Sequence, residues 1–282
     1  MTSPTGVRID EFAGVFGRST TVSRPPHPGL RAHVRGYVGY SEFTSFHRRR
    51  EVPNGAVTVI IDLGSGLRLI EPGSRGVRVG QFVVGPTDHA GIVDSGGQQT
   101  GLQVNLSLLG ARRLLNLPLV EISNRAVPLE EVFGAAGTRL VEQLHATPAW
   151  SDRFALMDAA LTARLDGAAD PPADLARAWG LLDQCAGACS VTDLAAEIGC
   201  SRKHLTTRFA RELGIPPKRL AGILRFRRAV DQLAGGTDLA RLAAACGYFD
   251  QAHLNRDFRR FAGITPTEHL QMFTPEFGLR AD

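Results

Sequence analysis

The sequence predicts an α+β protein in which short strands come first and helices follow. Between residues 34 and 106, short apolar runs alternate with Gly- and Pro-containing turns, as in small barrels and sandwiches. From Ser107 onward the apolar residues recur at the helical period. The last third carries one apolar unit twice, and such a repeat marks a supersecondary module. A length of 282 residues with 43% hydrophobic content allows two domains with ordinary cores.

The first part of the chain divides into a lead and a strand-rich domain. Residues 1–24 have little periodicity and are expected to form a partly ordered lead before a domain at 25–166. Strands are expected at 34–40, 57–63, 67–70, 77–84 and 101–106. The basic run at 47–50 is expected to lie in a loop. Helices are expected at 107–116, 129–145 and 152–165, where they either form a dimer interface or cover the end of a barrel.

A Pro-containing segment separates this domain from a helical one. Residues 167–172 (GAADPP) are typical of a short, stiff linker, and 173–282 are expected to form an all-α domain. Its repeated unit is LAAEIG, beginning at Leu194, and LAAACG, beginning at Leu242. Each copy is a short apolar helix that ends at a glycine, which adopts the left-handed conformation at low cost.

A second helix is expected after each glycine. Ser201 and Asp250 are the expected N-caps, and Leu205 and Leu254 begin the buried stripes. The pattern predicts helix-turn-helix units at about 191–212 and 238–262, joined by one long helix at 217–233. Held rigidly, two such units could enter successive major grooves of a DNA duplex.

The second copy and its continuation carry a specific resemblance. The sequence AAACGYFDQAHLNRDFRRFAGITP, from Ala243 to Pro266, resembles the DNA-binding domain of the arabinose-operon regulator (AraC/XylS) family of bacterial transcription factors. The likeness covers about the last third of the chain. His269 departs from it, since the family usually has an aromatic Tyr there, and so does Leu220 at the equivalent position of the first copy. Both are structural positions.

The resemblance implies which side chains meet DNA. The expected base-reading residues are Lys203, Thr206, Thr207, Gln251, Asn255 and Arg256. The expected phosphate-binding residues are Ser201, Arg202, Arg208, Arg211, Arg259 and Arg260. For Arg208, Arg211 and Arg260 the alternative is an ion pair within the protein. Residues 201–228 hold nine basic residues and one acidic residue, which suits a phosphate-binding surface.

Residues 30–135 resemble, less specifically, a region found upstream of such domains in related regulators. The likeness rests on short stretches such as VPNG from Val52, IIDLG from Ile60 and GLQVNL from Gly101. It implies a sensor-like domain, a cupin-like β-barrel followed by helices. The effector-binding residues cannot be chosen from the sequence, because a one-residue shift in strand register exchanges the two faces.

Other kinds of site find little support in the sequence. Metal-binding cupins need a His-x-His pair, which this chain lacks, so no catalytic site, metal or cofactor is expected. Cys185 and Cys189 are expected to pack as two small residues on one helix face, with a thiol pair or soft-metal site as the alternative. Oxidation of Cys200 or Cys246, next to the two turns, could disturb DNA docking. No apolar run is long enough to span a bilayer and the N-terminus resembles no signal peptide, so a cytoplasmic location is expected.

Together these patterns predict a sequence-specific DNA-binding transcriptional regulator that responds to a small-molecule effector. The partners expected are double-stranded DNA and the effector, with homodimerisation and contact with RNA polymerase as further possibilities. The alternatives are a constitutive or partner-controlled DNA-binding protein without a ligand, and a thiol-based redox-sensing regulator. An effector would stabilise the native state and change DNA affinity, whereas a constitutive protein would show neither effect.

Overall fold

Two antiparallel sheets form the first part of the molecule in this computed structural model. The structure describes residues 6–45, 48–64, 67–70, 77–94, 96–234, 236–274 and 278–280. The larger sheet has seven strands in the order β1-β2-β3-β10-β5-β8-β11. Their bounds are β1 Arg8–Gly14, β2 Gly17–Arg24, β3 Val34–Thr44, β5 Val57–Asp62, β8 Gln81–Val84, β10 Gly97–Leu106 and β11 Ala126–Pro128.

The smaller sheet has six strands in the order β12-β13-β4-β9-β6-β7. They are β4 Arg48–Glu51, β6 Leu67–Ile70, β7 Val77–Val79, β9 Gly91–Asp94, β12 Phe273–Thr274 and β13 Gly278–Arg280. The C-terminal strand β13 pairs with β4, so the chain returns to the strand-rich part after the last helix.

Most strands precede the helices in the chain. Three helices lie in the first part: α1 Leu108–Leu114, α2 Leu129–Ala146 and α3 Trp150–Asp166. The remaining seven are α4 Ala173–Gln184, α5 Val191–Ile198, α6 Arg202–Glu212, α7 Pro217–Gln232, α8 Leu239–Ala245, α9 Gln251–Phe261 and α10 Pro266–Met272. Strand β11 lies between α1 and α2, and β12 and β13 follow α10. None of the helices described is long and apolar enough to cross a membrane.

The two faces of the larger sheet have different surroundings. On one face the aromatic ring of Tyr37 stacks on Phe154 of α3, with ring centroids 5.8 Å apart. This face belongs to a hydrophobic core that runs without interruption from the strands into the helices of the last part. On the other face Ile60 and Phe82 form a separate small cluster with Val93 of the smaller sheet. The helices therefore cover one face, and the smaller sheet covers the other.

The α+β prediction with strands first and helices last is confirmed. The strands form two separate antiparallel sheets in the described part of the chain, rather than one continuous closed barrel. The segment 167–172 lies between α3 and α4, and Asp170 within it forms an ion pair with Arg113 at 3.0 Å.

Two expectations for the first part were wrong. Within the expected lead, residues 8–24 form the β1–β2 hairpin, while residues 1–5 lie outside the described ones. Nearly all of β1 is exposed, so its sequence has no apolar alternation to mark it as a strand. In the basic run, residues 48–50 lie in strand β4, and residue 47 is outside the described ones. Pairing with β9 and β13 on both sides overrides the low strand propensity of this run.

Candidate nucleic-acid interface

The first helix-turn-helix unit has the local geometry that its sequence predicts. Helix α5 ends at Gly199, which has φ 76° and ψ 30°, the left-handed conformation. Ser201 then caps α6, since its hydroxyl accepts a hydrogen bond from the His204 amide at 3.1 Å. Leu205 and Phe209 are buried on the inner face of α6, which leaves its polar side chains outward.

The second unit repeats this geometry. Gly247 has φ 76°, as Gly199 does, and the Asp250 carboxylate accepts a hydrogen bond from the His253 amide at 2.6 Å. Leu254 and Phe258 are fully buried on the inner face of α9. Helix α10 begins with a capping box, in which Thr265 and Glu268 exchange hydrogen bonds. Both predicted N-caps and both predicted glycine turns are therefore present.

Helix α7 joins the two units and carries a contact that the sequence did not reveal. The Arg225 guanidinium donates a hydrogen bond to the Gly187 carbonyl at 2.5 Å, in the loop that precedes α5. The same guanidinium lies 5.7 Å from the ring centroid of Tyr248, in the turn of the second unit. Arg225 thus touches both units and helps to fix their separation. Tertiary contacts of this kind leave no local sequence signal.

The residues expected to read bases lie on the outer surface of the two recognition helices, α6 and α9. Lys203, Thr207, Gln251 and Arg256 are exposed, and Thr206 and Asn255 are half-buried. No ion pair among the described residues engages Lys203 or Arg256. The structure therefore leaves these side chains available to a partner on the outer face.

The residues expected to bind phosphate fall into two groups. Arg202, Arg259 and Arg260 are exposed, whereas the hydroxyl of Ser201 is used as the cap of α6. Arg208 forms an ion pair with Asp174 of α4 at 2.6 Å. Arg211 lies 2.7 Å from Glu212, although its side chain remains 64% exposed. Arg208 and Arg211 therefore form ion pairs within the protein, which was the alternative to phosphate binding.

Three buried polar groups belong to the second unit, Asp257 on α9 and Cys246 and Tyr248 in the turn before it. Burial raises the pKa of the Asp257 carboxyl and of the Cys246 thiol. Burial also raises the pKa of Tyr248, with the nearby Asp257 carboxyl adding to the effect. Arg256, Arg259 and Arg260 are exposed on α9 and carry its positive charge on the outer surface.

The strand-rich part contacts the first unit through a buried ion pair. The Glu212 carboxylate at the end of α6 accepts a hydrogen bond from Arg112 of α1 at 2.7 Å. Burial opposes ionisation, but the hydrogen bonds from Arg112 and Arg211 hold the pKa of Glu212 below its usual value. Beside this pair the Ser123 hydroxyl donates to the Gly214 carbonyl at 2.8 Å. The recognition helix of the first unit is therefore attached at its C-terminal end to the strand-rich part.

Cys185 and Cys189 are joined by a disulfide, with their Cα atoms 5.9 Å apart. The expectation that they pack as two small residues on one helix face was wrong, because α4 ends at Gln184 and the pair lies in the following loop. Cys200 and Cys246 are free. Among the described residues, no group of three or more His, Cys, Asp or Glu is placed to hold a metal ion.

Comparison with known proteins places the resemblance on the same segment. A family model described as a helix-turn-helix domain matches residues 194–272. The HTH-type transcriptional regulator Rv1931c of Mycobacterium tuberculosis is 29% identical over 138 residues, which cover 49% of this chain and 51% of that protein. The match thus spans about half the length of that relative.

Solved structures extend the likeness to the fold. An apo variant of ToxT from Vibrio cholerae aligns with 84% of this chain and 98% of its own, at a TM-score of 0.50 and 10% identity. A transcriptional regulator from Chromobacterium violaceum with an AraC-type DNA-binding domain is 29% identical over 34% of this chain and 87% of its own, with a TM-score of 0.31. The chain therefore has the two-part fold of ToxT, with a sheet-rich region first and paired helix-turn-helix units last. Its residues 194–272 match a helix-turn-helix domain.

Proposed function

We propose that this chain is a sequence-specific DNA-binding transcriptional regulator. The observation that carries the proposal is the repetition of one capped recognition helix, α6 and α9. Outward basic side chains lie on both copies, joined by threonines on α6 and by amide side chains on α9. Both helices are fixed to α7, so they present one composite surface. Two recognition helices with a rigid connection suit two neighbouring major-groove segments of one duplex.

The proposed base-reading residues are those the sequence singled out. Arg256 can bind guanine O6 and N7 together, and Gln251 and Asn255 can pair with adenine. Lys203, Thr206 and Thr207 would read the segment that faces α6. Arg202, Arg259 and Arg260 are proposed to bind phosphates, which adds affinity without sequence preference. Arg208 and Arg211 are proposed as phosphate contacts only where DNA replaces Asp174 or Glu212 as their partner.

The test of DNA recognition uses the full-length protein and a pool of randomised duplexes. The wild type should select a consensus sequence, and its affinity for that sequence should be measured by fluorescence anisotropy. Arg256→Ala should lower the affinity for the consensus by about 1–3 kcal/mol and relax the preference at one position. The matched control is Arg241→Ala on α8, a position 91% exposed and outside both recognition helices. Selection of no consensus by the wild type would overturn the proposed function.

We propose further that a small-molecule effector binds in the strand-rich part. A cavity of about 470 Å³ lies at the β1–β2–β3 end of the larger sheet, within the size range of ligand sites. Glu42 and Ser19 line it and are buried, and Phe12 and Phe43 also line it. The cavity therefore combines a buried carboxyl with aromatic walls.

The charge of this cavity indicates the chemistry of the effector. Burial raises the pKa of the Glu42 carboxyl, although Arg49 of β4 pairs with it and acts in the opposite direction. Glu11 is a second carboxylate in the lining, and Arg18 the one cation among the described lining residues. A ligand with an apolar body and a hydrogen-bond donor or cationic group matches this set.

A thermal-shift screen with amines, alcohols and carboxylic acids of similar size tests the effector. A ligand that binds the native state raises the midpoint of unfolding, and one that regulates also changes the affinity for the selected DNA. Glu42→Gln should reduce the shift caused by a donor-bearing hit, whereas Glu11→Gln at the exposed rim should keep most of it. No hit, combined with tight DNA binding, would favour a constitutive or partner-controlled regulator instead. Homodimerisation and contact with RNA polymerase stay predictions of the sequence.

A further inference from the structure

Phe249 is an aromatic residue that the fold does not bury. Its relative exposure is 94%, while Tyr248 beside it is 5% exposed. It lies directly before Asp250, the N-cap of α9, and so stands at the entry to the second recognition helix. A fully exposed aromatic side chain at this place has no structural role in the chain alone.

The equivalent position in the first unit shows the structural role that Phe249 lacks. The residue before an N-cap often packs against the fourth helical residue, which here would be Leu254. In the first unit the equivalent position is Cys200, and it packs against the hydrophobic core. In the second unit Leu254 is fully buried without help from Phe249. The residue before the N-cap thus packs against the core in the first unit but not in the second.

The backbone holds Phe249 in a fixed place. Tyr248 before it is anchored in the core, and its ring meets the His253 ring edge-on with centroids 5.1 Å apart. The Phe249 amide lies 3.5 Å from Nδ1 of His253, and the carboxylate of Asp250 after it caps the helix. An exposed side chain between two anchored neighbours loses little backbone entropy when it binds a partner.

We propose that Phe249 is a specificity-determining residue that makes an apolar contact with the 5-methyl group of a thymine in the major groove. The N-terminal residues of a recognition helix contact base edges, and a phenyl ring is among the side chains that meet the thymine methyl. This inference rests on the proposed DNA-binding function. It adds an aromatic contact to a surface otherwise made of Arg, Lys, Thr and amide side chains.

The test removes the methyl group from the DNA and the ring from the protein. The wild-type chain first selects its consensus from randomised duplexes, and each consensus thymine is then replaced singly by deoxyuridine. One replacement in the segment read by α9 should weaken wild-type binding several-fold. Phe249→Ala should weaken binding to the thymine duplex about tenfold, or about 1.4 kcal/mol. The same variant should be insensitive to that replacement, and Phe249→Leu should retain part of the effect.

Val15→Ala is the matched control, because Val15 is also 94% exposed but lies in the β1–β2 turn. It should bind both duplexes as the wild type does. If removal of the methyl group lowers the DNA affinity of the wild type and of Phe249→Ala equally, the inference is overturned while DNA binding stays in place. Unchanged DNA affinity with lost transcription in cells would also overturn it, since the ring would then meet a protein. If the wild type selects no consensus, the proposed function itself fails.

Discussion

At the scale of single residues, Phe258 and Phe249 are the same amino acid in opposite surroundings. Phe258 is fully buried, with its ring 4.9 Å from that of Phe226 and 5.8 Å from that of His269. Phe258→Ala should therefore lower the free energy of unfolding by about 3–5 kcal/mol. Phe249→Ala should change it by less than about 0.5 kcal/mol. Urea unfolding of the two variants measures both changes. Similar losses of unfolding free energy would contradict the burial described for Phe258.

His269 makes stability depend on pH. It is 4% exposed, and burial lowers its pKa below the usual value. At pH values well above about 6.5 the imidazole is neutral in both the folded and the unfolded chain, so its contribution to stability is complete there. As the pH falls, the unfolded chain binds the proton first, and stability is lost until the pH passes the lowered pKa of the folded state. Urea unfolding at pH 7.5 and 5.5 should show a smaller loss for His269→Phe than for the wild type.

At the scale of elements, the glycine turns fix the entry to each recognition helix. Gly199 has φ 76°, and no neighbouring atom would meet an added Cβ within 4 Å. Gly199→Ala should therefore cost only the backbone penalty of the left-handed conformation, about 1–2 kcal/mol. Gly199→Asn should cost less, because Asn tolerates this conformation better. Thermal unfolding of both variants, with Gly180→Ala inside α4 as the control, measures the difference.

The elements also separate what the sequence could predict from what it could not. Helix caps such as Ser201 and Asp250 were predictable because the signal and the hydrogen bond lie within three residues of each other. The β1–β2 hairpin was missed because β1 is mostly exposed and neither strand shows an apolar alternation in its sequence. Arg225 and Arg112 were missed because their partners lie far away in the chain. The exposure of Phe249 was equally hidden, since apolar residues are expected inside.

At the scale of the whole molecule, one continuous core joins the strand-rich and helical parts. The sequence contains two tryptophans, and Trp150 lies on α3 while Trp179 lies on α4. In each of the single-tryptophan variants, Trp179→Phe and Trp150→Phe, tryptophan fluorescence and far-UV circular dichroism should therefore report the same midpoint of urea unfolding. Different midpoints for the two signals within one variant would show that the two parts unfold separately.

Removal of the ion pair between the parts should weaken this coupling. Arg112→Ala leaves the Glu212 carboxylate, whose side chain is 6% exposed, with Arg211 as its ion-pair partner. A loss of about 1–3 kcal/mol is expected, as for other buried groups that lose a charged partner. In the Arg112→Ala background, Glu212→Gln should lower the free energy of unfolding by less than it does in the wild type, because the two residues interact. Additive losses would exclude a direct interaction between them.

The pairing of β13 with β4 ties the C-terminal end of the helical domain to the strand-rich part, and the segment at 167–172 ties its N-terminal end. Between these ends the shared core and the Arg112–Glu212 ion pair hold the domain as well. The helix-turn-helix pair therefore cannot rotate about its chain connections alone. Any reorientation toward DNA must also separate packed apolar side chains, even after β13 is released from β4.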